Sequence, residues 1–183
     1  NRIFELTQGT IIVCRFLADG RRQITDIAGP GRFLGLTAAE RHDSDAIAVT
    51  PASVLVWDRK KFSSTDRARE ALLEAVCRDG DRLRTLAVAL GRKTAIERLA
   101  SFFVGAAGEA ATTSFGLPLT RYDIADHLGL TVETVSRTIT KMKAMGMIAE
   151  HRGEIRLLDA AGLSLIATGD SRLPHSTTSQ RDP

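Results

Sequence analysis

The stretch Thr120–Lys143, TRYDIADHLGLTVETVSRTITKMK, decides how this chain is read. Counted from Arg121, apolar Ile124, Leu128, Leu130 and Val135 fall at positions four, eight, ten and fifteen, small Ala125 at five and Gly129 at nine. A second helix crossing the first at Ala125 needs a small side chain there. Gly129 supplies a left-handed residue between the helices, and the apolar set makes the miniature core of two steeply crossing helices. The pattern predicts a helix-turn-helix. Thr131 is a good N-cap for the second helix, and Val132–Lys143 follows without Gly or Pro.

On that second helix Glu133, Ser136 and Arg137 stand at i, i+3 and i+4, on one face near the N-terminal end, the end that enters the major groove in this motif. Their chemistry suits a G·C pair: Arg137 can donate to guanine O6 and N7 together, Glu133 can accept from cytosine N4, and Ser136 can reach a neighbouring base or phosphate. A solvated Glu133–Arg137 ion pair, worth about 0.3–0.5 kcal/mol, is the plainer reading, but it leaves the surrounding helix-turn-helix unexplained. Thr120, Arg121, Thr131, Thr134, Thr140, Lys141 and Lys143 are expected on phosphates, where they set register without reading sequence. Met147–Glu150 and Ile155–Leu158 alternate around His151-Arg152-Gly153-Glu154, which predicts a β-hairpin wing. His127, on the first helix, reads as an ordinary surface histidine or a groove-rim contact.

Upstream, from about Asp66 to Gly91, the period is that of one long helix. Val76, Leu83 and Leu90 occupy one heptad position and Leu72 and Leu86 the other, with Arg and Glu outside and Asp79-Gly80 interrupting. This stripe needs a partner, either the chain's own β domain or, as we expect, a second copy in a parallel homodimer. Thr94 can cap a further helix to about Ala107, and Gly105–Phe115, rich in Gly, Ala and Thr, reads as a loop. The first sixty residues read as short strands: Ile3–Leu6, Thr10–Leu17, Arg22–Ile27, Ala46–Val49 and Val54–Trp57, punctuated by Gly and Pro. Asp19-Gly20 signals a hairpin in which both residues take positive φ. The whole predicts an antiparallel β barrel or jelly roll.

With 183 residues, 43% hydrophobic and 26% charged, the chain is ordinary globular material, neither fibrous nor wholly disordered. A net charge of +3 permits a polyanionic partner without demanding one. Two cysteines, Cys14 and Cys77, are too few for a disulfide framework, and both are expected buried as small hydrophobes, with redox chemistry at either an open possibility. No apolar run approaches the roughly 18 residues of a membrane helix, and Asn1–Ile12 lacks the plan of a signal peptide, so a cytoplasmic protein with no membrane partner is expected. The chain opens on Asn1 inside a strand and is read as continuing upstream. His42 with Asp43 and Asp45 reads as a solvated turn rather than a metal or haem site. No nucleophilic triad, P-loop or dinucleotide fingerprint occurs, so catalysis is not expected.

Four stretches carry a resemblance: LADGRRQITDIAGPGRFLGL (17–36), LGRKTAIERLASFF (90–103), LTRYDIADHLGLTVETVSRTITKMKAMGMI (119–148) and RLLD (156–159). In this order they resemble the Crp/Fnr transcription regulators, of the FixK and Fnr type. The resemblance implies a jelly-roll sensor, a long dimerisation helix and a winged helix-turn-helix that binds double-stranded DNA and contacts RNA polymerase. Its Glu-x-x-Ser-Arg base-reading pattern falls on Glu133, Ser136 and Arg137, and members with that pattern read palindromes of the TTGAT…ATCAA kind. Two features depart from the family's ligand-binding members. Where cyclic-nucleotide binders grip phosphate with Glu and Arg-Ser or Arg-Thr, this chain has Glu40-Arg41 and then Asp43 and Asp45, whose carboxylates oppose a phosphate. The cysteine cluster of oxygen-sensing members is not visible, so no cofactor, neither cyclic nucleotide nor iron–sulfur cluster, is expected.

The expected architecture is therefore α+β: an N-terminal antiparallel β jelly roll over 1–65, a dimerisation helix over 66–91, a C-terminal winged helix-turn-helix over 92–168 and a mobile tail over 169–183. The expected function is that of a homodimeric, sequence-specific DNA-binding transcription regulator, expected to be an activator, that reads a TTGAT-N4-ATCAA-like palindrome through the second helix of the helix-turn-helix. The competing reading is a ligand-binding sensor whose helix-turn-helix docks a protein rather than an operator.

Overall fold

A computed structural model describes residues 2–37, 39, 41–58 and 66–169. The chain divides into two compact units, one joining the residues up to 91 with 118–132, the other joining 92–117 with the residues from 133 onward.

In the first unit, β1 (Arg2–Gln8), β2 (Ile11–Phe16), β3 (Arg22–Ala28), β4 (Phe33–Leu34), β5 (Asp45–Ala48) and β6 (Ser53–Asp58) build two antiparallel sheets in the orders β4-β1-β6 and β3-β2-β5. Period-two spacing places Ile12 and Cys14 of β2 on one face, and with Ile3 and Leu6 of β1 and Ile24 of β3 they are almost fully buried. One cluster joins Leu6, Ile11, Ala28 and Leu34; a second joins Ile12, Cys14 and Ile24, with Val49 and Leu119 packed on it. Each such side chain contributes about 1.5–3 kcal/mol by leaving water. The β2–β3 hairpin corrects one expectation. Gly20 alone takes positive φ, at 85°, while Asp19 accepts hydrogen bonds from the Arg21 backbone N–H (3.1 Å) and Nε (2.8 Å). The loop is longer than a two-residue turn, closed by Leu17 N–H on the Arg21 carbonyl and Gly20 N–H on the Leu17 carbonyl, so only its last position needs glycine.

Helix α1 (Asp66–Arg92) runs unbroken for 27 residues through Asp79 and Gly80. Ion pairs at i, i+3 and i+4, such as Arg78–Glu74 and Arg84–Asp81, line its outer face and add a few tenths of a kcal/mol each, roughly. The apolar stripe, however, is rotated from the expected one. Leu72, Asp79 and Leu86 share a row, and Asp79 accepts from Arg32 Nη2 at 2.9 Å, a guanidinium that also holds Asp26 of β3 at 2.7 Å. That row therefore faces the chain's own β domain, and Leu72, Leu86 and Leu90 are half-buried. Exposed beside it are Leu73, Val76 and Leu83 (65%, 49% and 51%) and Ala87, with half-buried Gly80 between them at heptad spacing.

In the second unit, α2 (Ala95–Ala110) starts at Thr94, whose N–H donates to Glu97 Oε2 at 2.7 Å, and packs against α5 (Ala160–Thr168) through Leu99, Phe103, Leu163 and Ile166, all buried. The loop expected over Gly105–Phe115 is mostly absent. Helix continues to Ala110, Ala111 ends it with φ 50°, and β7 (Ser114–Gly116) follows. Burial of α2 against α5 outweighs the local cost of Gly105 and Gly108, about 1 kcal/mol each relative to Ala. Strands β8 (Ile148–His151) and β9 (Glu154–Leu157) form the expected wing, its turn made by Arg152 and Gly153 with φ 48° and 81°, and β7 adds a third strand in the order β7-β9-β8. Gly169, assigned by sequence to the tail, is the left-handed cap of α5; residues 170–183 of that tail lie outside the described residues.

Candidate nucleic-acid interface

Between these elements of the chain lie α3 (Arg121–Leu128) and α4 (Val132–Ala144). Thr120 caps α3 reciprocally: its hydroxyl accepts from Asp123 N–H at 3.1 Å, and Asp123 Oδ2 accepts from Thr120 N–H at 2.9 Å. At the other end Gly129 adopts φ 60° and ψ 44°, and its N–H closes on the Ala125 carbonyl. A side chain at Gly129 would cost the left-handed penalty of about 1–2 kcal/mol. Ile124, Ala125 and Leu128 are buried, as the spacing requires.

Along α4 the residues Val135, Thr138, Ile139 and Met142 are buried, an i, i+3, i+4, i+7 row that fixes the helix's roll. Glu133, Ser136 and Arg137 occupy the opposite side and are exposed. Of the residues expected on phosphates, Thr131, Thr140, Lys141 and Lys143 are exposed, while Arg121 and Thr134 are half-covered. Thr120 is occupied as the cap, Thr140 Oγ1 donates to the Ser136 carbonyl at 3.0 Å, and Lys143 Nζ lies 3.6 Å from Glu150 of the wing. Arg152 and His151 at the wing tip are exposed.

Sequence reasoning missed the attachment of α3 to the β domain. Arg22 Nε donates to Asp126 Oδ2 at 2.8 Å and its Nη2 to Asp123 Oδ1 at 2.6 Å; Gln23 Nε2 donates to the His127 carbonyl at 3.2 Å. His127 is thus not a surface histidine: its Nδ1 sits 3.1 Å from the Ile24 carbonyl, half-buried against β3. Burial pushes the Asp123 carboxyl up, but hydrogen bonds from Thr120 and Arg22 outweigh it and hold it below the ordinary value. No local periodicity marks Arg22, which is 104 residues from Asp126.

Cys14 is buried, and burial raises its thiol; Cys77, against expectation, is exposed, lying on the solvent side of α1. Among the described residues no cluster of His, Cys, Asp and Glu could hold a metal, and Asp43 pairs with Arg15 at 3.4 Å on the surface. A cavity of about 370 Å³ lies in the β domain, lined by Phe4, Ile11, Val13, Leu34, Leu36, Ala46 and Val54 with Thr37, His42, Asp43 and Ser44. Its size would admit a nucleotide. Among its described lining residues the ionisable groups are His42 and Asp43, and the Asp43 carboxylate opposes a phosphate; Glu40 lies outside the described residues.

Two family models match the chain, a cyclic nucleotide-binding domain over residues 1–66 and a Crp-like helix-turn-helix domain over residues 97–166. The nitrogen fixation regulation protein FixK of Bradyrhizobium diazoefficiens is 38% identical over 173 residues, covering 90% of this chain and 73% of that protein. The chain belongs to the Crp/Fnr family. The transcriptional activator protein FnrL of Cereibacter sphaeroides is 33% identical over 92% of this chain and 74% of its own length. The structure of FixK2 from Bradyrhizobium japonicum superposes with a TM-score of 0.84 at 29% identity, over 90% of this chain and 86% of that one. As a member of the Crp/Fnr family, the chain is a helix-turn-helix transcription regulator and not an enzyme.

The His127 docking has a pH signature. Burial holds the imidazole below its ordinary value of about 6.5, so the folded state keeps the neutral ring and the unfolded state takes up the proton first. Stability is then full above about pH 6.5 and is lost as pH falls from there toward the folded value. Urea denaturation between pH 7.5 and 5.5 should show a falling midpoint that flattens in His127→Gln; an unchanged slope in the variant contradicts the assignment.

Proposed function

We propose that this Crp/Fnr-family chain is a cytoplasmic homodimeric transcription activator that reads a TTGAT-N4-ATCAA-like palindrome with α4 and engages RNA polymerase. The observation that carries this is the exposed Glu133, Ser136 and Arg137 on a helix whose opposite row is buried. The base-edge chemistry supports a G·C step in each half-site, and FnrL, similar over nearly the whole chain, is named a transcriptional activator. No helix among the described residues is long and apolar enough to cross a membrane.

The dimer is the second requirement, since reading a palindrome takes two α4 helices about 34 Å apart. The row Leu73, Val76, Gly80, Leu83, Ala87, Leu90 is proposed as the seam. It keeps Val76, Leu83 and Leu90 of the sequence-based seam and replaces Leu72 and Leu86, whose row includes the Arg32-bonded Asp79. Gly80 lets two backbones approach closely at the middle. The cavity in the β domain is proposed to take no cyclic nucleotide, for the charge reason given above.

Two experiments test this reading. In gel shifts with TTGAT-N4-ATCAA and scrambled duplexes across salt, Arg137→Ala should lose about 1–3 kcal/mol of discrimination at one G·C pair per half-site. Lys141→Ala should weaken both duplexes alike and reduce the salt slope by roughly 0.9 per site. Identical behaviour of the two variants contradicts the division of roles, and equal retardation of both duplexes by the wild type would favour a protein-docking module instead. In sedimentation equilibrium Leu83→Arg should convert dimer to monomer with helix content retained, whereas Leu86→Arg should disturb folding of the β domain rather than association; the reverse pattern would restore the sequence-based seam.

A further inference from the structure

We propose that Arg22, at the start of β3, is a positioning residue for operator binding: it fixes the first helix of the helix-turn-helix through Asp123 and Asp126 and offsets part of their negative charge. The inference rests on the operator-reading function proposed above.

The guanidinium fork spans two carboxylates one turn apart on the same face of α3, Nε on Asp126 and Nη2 on Asp123, and its side chain is 21% exposed. Asp123 has both oxygens engaged, Oδ1 by Arg22 and Oδ2 by Thr120, with its side chain only 10% exposed. Gln23 and Ile24 then hold His127 in the last turn. Attachments at the first turn, the middle and the last turn of one helix face set the direction of the helix axis as well as its position. The recognition helix follows α3 in the chain after Gly129, Leu130 and Thr131.

Charge gives the sign of the effect. In this motif the first helix crosses the phosphate backbone. Two uncompensated carboxylates on it would repel the duplex, and Arg22, from a different part of the chain, offsets one of the two charges. Removing Arg22 also strands a nearly buried Asp123 carboxylate, which destabilises the attachment. Lysine carries the charge but lacks the fork that bridges two carboxylates at once.

The test measures affinity of the full-length protein, at fixed salt and with active fraction titrated, for a duplex that the wild type recovers from a random pool, beside a random duplex. Arg22→Met should weaken the selected duplex about tenfold, within the roughly 5–150-fold range of coupled elements. Its sedimentation as a dimer and its active fraction should stay unchanged. Arg22→Lys should recover part of the loss, and Arg22→Asp combined with Asp126→Arg should recover part as well, since the swap returns the pair to position 126 but leaves a carboxylate beside Asp123, which is kept intact as the partner of the Thr120 cap. Unchanged or tighter binding by Arg22→Met overturns the proposal, as does a lower active fraction with unaltered affinity, or a charge swap that restores nothing. A wild type that recovers no duplex overturns the operator reading itself, which separates the two failures.

Discussion

The row Val135, Thr138, Ile139 and Met142 is the constraint on which the function depends. Burying it fixes the roll of α4, and once that roll is fixed Glu133, Ser136 and Arg137 have no direction but outward. The far end of the same helix is pinned by the Met147 N–H on the Met142 carbonyl, and Leu158 N–H closes on Met147 from the strand beyond. A helix held by its apolar row and at its C-terminal end presents its N-terminal residues rigidly, which is what a base-edge contact needs. Specific readout tolerates little freedom because a bidentate arginine–guanine pair has a fixed fork geometry.

A comparable logic governs α1. Its two adjacent rows differ in what they find. Asp79, in the row with Leu72 and Leu86, meets Arg32, whose other bond is to Asp26 on β3. Asp26 is buried enough that its carboxyl sits above the ordinary value despite that arginine. The row through Leu73, Val76 and Leu83 stays about half or more exposed. A helix that commits one stripe to its own β domain and leaves another apolar and exposed is shaped for a partner, and a two-fold partner duplicates the reading face. Strand β3 serves both ends of this arrangement, with Arg22 on α3 and Asp26 in the Arg32–Asp79 network.

The helix-turn-helix, the wing and the five β segments were legible because each is written in local chemistry: Gly129 for a left-handed turn, Thr120 and Asp123 for a reciprocal cap, alternation around Arg152-Gly153 for a hairpin. What escaped was set by distant partners. Gly105–Ala110 looks like loop by composition, yet the helix begun at Thr94 and buried through Leu99, Ala100 and Phe103 continues through it. Asp79, which the sequence presents as an interruption of the stripe, is bonded to Arg32. His127 and Cys77 were misplaced for the same reason, the first drawn under β3 and the second turned out to solvent. Arg22 was invisible because nothing in its neighbourhood foretells two aspartates a hundred residues later.

The central claim, that a symmetric pair of α4 helices reads guanine edges in successive major grooves, is tested most directly by methylation interference. Guanine N7 methylation should abolish the complex at one guanine in each half-site, the two lying roughly one helical turn apart, and the Arg137→Ala variant should be indifferent to both. Interference at one half-site alone, or only at adenine N3 in the minor groove, would contradict the account.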